Sequence, residues 1–443
     1  MKRILFFVLM LLAMKGFSQN DSSSRPKGQN HLSFQKGKSE LVISGTYRLR
    51  GEVQQNFNAK TYGTDGNETF LLSRLRLDLE YSFASRLKLF TEIQDSRVAG
   101  SSFTDVDFQN KNNPFHDPFD INKLYISYKP IDSLEIIVGR QALNLANRRV
   151  FGPGDWGNTG RYIWDAVNIR YANKYLSTQA IFGYNIIHQP DVFPNRNKEN
   201  ANTFASFNTI KNLPFLLDVF YVNKYDHSGN YMDENGTLGN LNSSYLGGRI
   251  QKSVRNLNWM FLYAYQFGRY ASDRISAQGI TTQLSYKFGT SWKPQILLTY
   301  IYGSGDGNTK DGKKQTFDGI FSGADTDLYS WMNFAFWKNI HQYRADLVLN
   351  PTKKISVRSE YHAYFLDKNT DAWYFPGKAM RIDKQGQSGS FIGQEADFTI
   401  KYNLYSWLEF LGGYCLFSPG EFVENTGVSP MARWAFAQLT LSF

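Results

Sequence analysis

Between residues 71 and 97 the chain reads LLSRLRLDLEYSFASRLKLFTEIQDSR, and charged side chains take every second place. Arg74, Arg76, Asp78 and Glu80 alternate with Leu75, Leu77, Leu79 and Tyr81. After SFAS the alternation resumes, with Arg86, Lys88, Glu92 and Gln94 set against Leu87, Leu89 and Ile93. A two-residue spacing puts each set on one face of a β-strand. Guanidinium groups in such a row match carboxylates in a two-pronged geometry. One face of these strands is therefore a candidate track for an anionic solute, and the acids beside the arginines supply counter-charge.

The same parity recurs further on. Arg344 and Asp346 lie opposite Ala345, Leu347 and Leu349, and Arg358, Glu360 and His362 lie opposite Val357, Ser359 and Tyr361. Arg249 follows Gly247 and Gly248 at a strand start, and Glu395 and Asp397 share a face of FIGQEADFTI. The most distinctive segment, with a local positive excess, is VGRQALNLANRRVFGPGDWGNTGRYIWDAVNIRY, residues 138–171. There Arg140, Arg148, Arg149, Arg161 and Arg170 meet only Asp155 and Asp165.

Other chemistries find less support. GxSxG and HExxH are absent, and six histidines with one cysteine, Cys415, give neither a zinc-like set nor an internal disulfide. The run DGNTKDG at 306–312 imitates a calcium loop, but Lys310 stands at a ligand position and Phe317 where the bidentate acid belongs. No catalytic residue, metal or cofactor is expected. Nucleic acid is not expected as a partner, because no basic cluster falls on a binding motif.

The elements that must position these residues follow from patterning. Lys2 and Arg3 precede a short apolar run, Ile4–Met14, then small and polar residues, so residues 1–18 read as a secretory signal. Residues 19–40 read as a flexible periplasmic tail. From residue 41 to 443 alternation and turn punctuation mark about eighteen strands. Short links at 82–85, 129–132, 211–214, 350–353 and 403–406 alternate with long ones at 98–118, 142–162, 187–202, 225–242, 303–336, 367–390 and 418–431. Tight periplasmic turns alternating with long extracellular loops are the rhythm of an outer-membrane β-barrel.

Composition agrees, with 27 Tyr, 35 Phe and 9 Trp to supply interfacial girdles. The formal charge of +10 favours anionic partners. The last strand, ARWAFAQLTLSF, ends on an aromatic residue, like the signal read by outer-membrane assembly machinery.

The expected fold is thus an all-β transmembrane antiparallel barrel in the outer membrane of a Gram-negative bacterium. Its pore lining is expected to be Arg74, Arg76, Arg140, Arg148, Arg149, Arg161, Arg170, Arg249, Arg344 and Arg358. The lumenal counter-charges would be Asp78, Glu80, Glu92, Asp165, Asp346, Glu360, Glu395 and Asp397. The Gly- and Asn-rich loop within 138–171, folded into the lumen, is the expected constriction.

RLRLDLEY (74–81), TEIQDSR (91–97), VGRQ (138–141), FGPGDWGNTGR (151–161) with WDAV (164–167), and SGDGN (304–308) resemble the alginate export porins. So do KNIHQYRADLVLNPTKKISVRSEYH (338–362), GQEADFTIKY (393–402), GGYCLFSPGEF (412–422) and QLTLSF (438–443). The resemblance implies a monomeric barrel of eighteen strands that passes an acidic polysaccharide through an arginine-rich pore, with Arg76 and Arg140 at pore-lining positions. The GPGDWGNT loop departs from the family's alginate exporter, and the arginine near Asn168 and Arg170 is ambiguous by two residues. The expected function is passage of an alginate-like anionic glycan, with a general or small-anion-selective porin working in uptake as the alternative. Expected partners are outer-membrane lipid and lipopolysaccharide, the glycan, and periplasmic secretion or uptake proteins.

Overall fold

The computed structural model describes residues 31–57, 66–152, 154–321, 328–375 and 378–443. The expected signal, 1–18, and residues 19–30 of the expected tail lie outside them. Among the described residues eighteen long antiparallel strands form one closed sheet. The first nine are β1 (Ser39–Gln55), β2 (Glu68–Phe83), β3 (Leu87–Ala99), β4 (Asp117–Ile131), β5 (Leu134–Ala142), β6 (Ile163–Ala172), β7 (Leu176–Ile187), β8 (Arg196–Ile210) and β9 (Leu216–Met232). The others are β10 (Leu238–Val254), β11 (Leu257–Tyr270), β12 (Asp273–Lys287), β13 (Gln295–Gly303), β14 (Ile340–Leu349), β15 (Ile355–Phe365), β16 (Phe391–Tyr405), β17 (Leu408–Pro419) and β18 (Ala432–Ser442). Each strand pairs with its chain neighbours, and β18 closes the cylinder on β1 from Thr46↔Ser442 to Gln55↔Arg433.

The alternation read from the sequence sets the two faces. Leu71, Tyr81, Leu87, Leu89, Leu298, Leu347 and Tyr361 are exposed on the outside. Arg74, Glu92, Gln94, Arg344, Asp346, Glu360 and His362 are buried within. Turning an arginine or lysine of this inner row outward at the bilayer midplane would cost roughly 2–4 kcal/mol, which fixes register.

Three expectations change. The tail is not wholly flexible, because Leu32–Lys36 forms a short strand paired with the first residues of β1, from Leu32↔Ile43 to Lys36↔Ser39. It covers the edge of β1 that the shorter β18 leaves open. The long connections expected over 187–202 and 225–242 contract to 188–195 and 233–237, because the flanking strands run on. β9 and β10 each have 17 residues. At about 3.3 Å per residue they stretch to roughly 56 Å, well beyond an apolar band of about 25 Å even when tilted.

The third change concerns the connection expected as an external loop over 303–336. Its aromatic residues Phe317, Tyr329, Phe334 and Phe336, with Trp337 just after it, are buried in the lumen, in one apolar cluster with Val150 and Phe151 of the loop between β5 and β6. Backbone hydrogen bonds join the two insertions, Gly152 N to Phe321 O at 3.1 Å and Phe321 N to Val150 O at 3.0 Å. The barrel therefore encloses a core of its own.

Gly279 on β12 lets the second insertion approach the wall. A Cβ there would lie 2.6 Å from the Phe317 ring and 2.8 Å from Trp337. Gly279→Val should push the insertion off the wall at an overpacking cost of about 1–3 kcal/mol. The expected readout is a lower melting temperature with a higher single-channel conductance; no change in either would contradict this placement.

Candidate functional site

β1 and β2 present four arginines to the lumen. Arg48 and Arg74 are direct cross-strand partners, with Arg50 and Arg76 one inward step away on their own strands. These side chains grip the loop between β5 and β6. Arg48 donates to the carbonyls of Asp155 and Gly157, each at 3.1 Å, and Arg74 donates to the same two at 3.1 and 3.2 Å. Arg50 donates to the Trp156 carbonyl at 2.9 Å, and its guanidinium carbon lies 3.9 Å above the Trp156 ring.

Carboxylates take only part of this charge. Arg50 pairs with Glu52 at 2.7 Å, and Arg76 reaches Asp155 at 3.1 Å and Glu92 at 3.5 Å. Burial alone would raise the Asp155 carboxyl, but Arg76 and Arg74 outweigh it and hold the group below the usual carboxylate range. Asn158 completes the anchor. Its amide faces the carbonyls of Ser73, Arg97 and Phe115 at 2.9–3.1 Å, and its Oδ1 accepts from Arg48 at 3.2 Å. The sequence folds this way because GDWGN has no regular structure to pair its backbone carbonyls, which the arginines satisfy inside the barrel, while the Trp156 ring packs against Arg50, Trp331 and Trp434.

A cavity of about 150 Å³ lies against the anchored loop. Arg50, Glu52 and Glu68 line it from the wall, Trp156 and Arg161 from the loop, and Trp331 and Trp434 across from them. Trp156 makes edge contacts with Trp331 at 5.2 Å and Trp434 at 5.8 Å between ring centres. Arg149 does not face this space. It is buried, donates to the Leu328 carbonyl at 3.0 Å, and lies 5.3 Å from the Tyr329 ring centre, so it joins the two insertions. Burial pushes its guanidinium below the usual pKa.

The wall of β14, β15 and β16 holds the second charge network. Arg344 contacts Asp346 at 2.7 Å and Glu360 at 2.9 Å; Arg358 contacts the same two at 2.5 and 2.7 Å. Glu360 accepts from the Trp331 indole at 3.1 Å, and Glu395 accepts from the Met332 amide and the Tyr364 hydroxyl, both at 3.0 Å. These residues neutralise one another and hold the second insertion, so they form a stiffening ladder.

Glu360, His362 and Asp397 stand close enough for a metal ion, with ligand atoms within 4.8 Å of one another. The hydrogen bonds oppose that use. Gln342 Nε2 donates to the Tyr329 carbonyl at 2.6 Å, which orients its amide, and lies 3.0 Å from His362 Nδ1. Nδ1 is therefore an acceptor, and the ring proton sits on Nε2, facing Glu360 at 3.3 Å and Asp397 at 3.2 Å. A protonated Nε2 has no lone pair for a metal.

The other expected lining residues fall in several places. Arg140 and Asp165 are cross-strand partners in register with Val138, Leu124 and Val167, which are exposed on the outer face. Arg140 is tied to Asp165 at 2.9 Å and to the carbonyls of Ile121 and Asn195 at 3.1 and 2.6 Å. This row corrects the lumenal placement of both; segment 138–171 is positive, but its charges divide between faces. Arg170 takes the inward parity and reaches Glu135 at 3.5 Å. Arg249 is bound to Asp218, its cross-strand partner, at 2.5 Å. Arg148 lies on the inserted loop with a left-handed backbone, φ 66°.

Asp78 faces Glu92 across the ladder, where Lys123 reaches Glu92 at 2.7 Å, and Glu80 pairs with Lys88 at 3.1 Å. Arg48, Arg50 and Glu52 were legible, since YRLRGEV carries the same alternation as RLRLDLEY. Lys224, which donates to Asp318 of the second insertion at 3.1 Å, carried no such signal.

A closed antiparallel barrel, apolar outside and polar inside and narrowed by inserted loops, is an outer-membrane channel. The chain belongs to the alginate export family, whose model matches residues 39–436. No curated protein matches it. Among solved structures it is similar to OccAB2 of Acinetobacter baumannii, with TM-score 0.60 and 10% identity over 91% of this chain and 98% of that one. It is also similar to Pseudomonas aeruginosa OccK11 (OpdR), with TM-score 0.57 and 10% identity over 93% and 100%. Pseudomonas aeruginosa OpdQ gives 0.58 and 11% over 92% and 99%. At such identities the likeness shows the fold alone.

Arg344→Leu leaves Asp346 and Glu360 short of a buried partner and should cost about 3–5 kcal/mol, read as thermal unfolding in detergent. Arg358→Leu should cost less, because that side chain is 27% exposed. Equal losses would contradict the ladder. Asp155 has a depressed folded pKa, so its contribution is complete above the ordinary carboxylate value near 4 and is lost as pH falls through the folded value. Conductance should rise on acidification below about pH 4, and Asp155→Asn should show the raised conductance at neutral pH. A flat pH profile in wild type would contradict the part given to the Asp155–Arg76 pair in holding the loop.

Proposed function

We propose that the barrel is a passive channel for an acidic polysaccharide or oligosaccharide of the alginate type, working as a monomer in the outer membrane of a Gram-negative bacterium. One observation carries this reading. Arg48 and Arg74 face each other across the β1–β2 ladder and meet backbone carbonyls rather than carboxylates. A carbonyl accepts a hydrogen bond without cancelling the charge, so positive potential stays in the lumen. Like charges directly opposite one another destabilise a sheet, and an anionic solute gives that arrangement a use. Carboxylates of a passing chain would compete with the carbonyls one site at a time, and such exchangeable sites let a solute leave as well as bind. The family's description, alginate export, supports the same substrate class.

A second reading, a porin selective for small anions and working in uptake, draws on the cavity. Its volume is about 150 Å³. In this conformation it fits a small solute, and a glycan chain would have to displace the anchored loop.

Reversal potentials in planar bilayers test the reading. Wild type should prefer anions, and Arg48→Gln with Arg74→Gln should lose most of that preference. A cation-preferring wild type, or selectivity unchanged in the double variant, would overturn the proposal. Current block by oligouronates, absent with neutral oligosaccharides, favours the glycan; block by small carboxylates alone favours the second reading.

A further inference from the structure

A second cavity, about 190 Å³, adjoins the first, and Arg161 lines both. It lies where the connections 100–116, 143–162 and 188–195 converge, at the end of the barrel that carries the long loops. Asn112, Tyr162, Asn185 and His188 complete the polar part of its lining.

His188 is held firmly there. Its Nδ1 is 2.8 Å from Asp117 Oδ2, which also accepts from Asn195 Nδ2 at 2.9 Å. The His188 amide donates to Asn112 Oδ1 at 3.2 Å, and the Asn112 amide donates to the His188 carbonyl at 2.7 Å. His188 is 3% exposed and Asp117 1%. Among the described residues, His188 Nε2 has no hydrogen-bond partner. Arg161 likewise has neither a hydrogen bond nor an ion pair among them. A buried polar atom left unsatisfied opposes folding, and Arg161 differs from Arg48, Arg50, Arg74 and Arg149, each of which donates to a backbone carbonyl. Both sit on one cavity.

We propose that this cavity is a subsite for a hydroxy-carboxylate, the pairing that a single uronate unit presents. Arg161 takes the carboxylate. Asp117 accepts the Nδ1 proton of His188 and so sets the tautomer, leaving neutral Nε2 to accept a ring hydroxyl. At about 190 Å³ the cavity is sized for a sugar unit. Its place at the outer end makes it a capture or release point apart from the arginines of β1 and β2. The inference rests on the acidic-glycan reading above and assigns that reading a second contact.

Titration calorimetry on the full-length protein in detergent, with sodium glucuronate, sodium acetate and glucose as probes, tests it. Glucuronate should bind tightest, and Arg161→Gln and His188→Asn should each weaken it by about tenfold or more. Acetate should weaken only in Arg161→Gln. Asparagine keeps a donor toward Asp117 while removing Nε2, and unchanged melting temperatures would show that the fold survives. Should His188→Asn fail to fold, Arg161→Gln, at a half-buried side chain without a partner, carries the test alone. Glucuronate binding no tighter than both other probes, or unchanged in the folded variants, overturns the subsite. An anion-selective wild type with unchanged glucuronate affinity in the variants sinks the subsite alone. A cation-selective wild type that still binds glucuronate through Arg161 sinks only the transport reading.

Discussion

Guanidinium groups on the backbone carbonyls of one short loop are the interaction on which the lumen depends. Arg48, Arg50 and Arg74 hold residues 155–157 by their main chain. The loop side chains then take up fixed positions: Trp156 over Arg50, Asp155 against Arg76, and Arg161 between two cavities. A grip on main-chain atoms satisfies the loop's acceptors without neutralising the arginines. The same contacts hold the loop inside the barrel against β1 and β2.

The second insertion follows from the first. Its aromatics cannot face water at low cost, and the apolar side of the anchored loop, Val150 and Phe151, offers them a surface. Trp331, Phe334 and Trp337 close that surface against the wall. Beneath them the buried ladder of Arg344, Arg358, Asp346 and Glu360 fixes the wall itself. The barrel wall thus has lipid on one side and, over part of its height, a protein core on the other. The cavity of about 150 Å³ lies on the side where β1 and β2 face the loop.

Much of this was legible in the sequence where a period of two persists. RLRLDLEY and the strand from Ile355 to Phe365 gave both faces correctly, since a one-residue slip would carry charges into lipid. The constriction was legible because arginines, glycines and asparagines without period lie between two clear strands. The inward course of residues 304–321 and 328–339 was not, because an aromatic loop has no period to say whether its partner is lipid, solvent or the lumen. Arg140 was misplaced because its facing was taken from the family resemblance and from the positive segment around it; the register groups it with Val138 on the outer row. The lack of a partner at Arg161 and at His188 Nε2 is a property of three converging loops, which no single segment encodes.

Hydrogen exchange across residues 154–161 tests the central claim most directly. Asn158 and Thr159 donate their amides to the Pro114 carbonyl within the lumen. In the folded channel these amides should exchange as slowly as those of the flanking strands, and should speed to loop-like rates when Arg48 and Arg74 are replaced by methionine. Rapid exchange in the wild-type protein, or slow exchange that survives the loss of both arginines, would show that the guanidinium grip does not hold this loop.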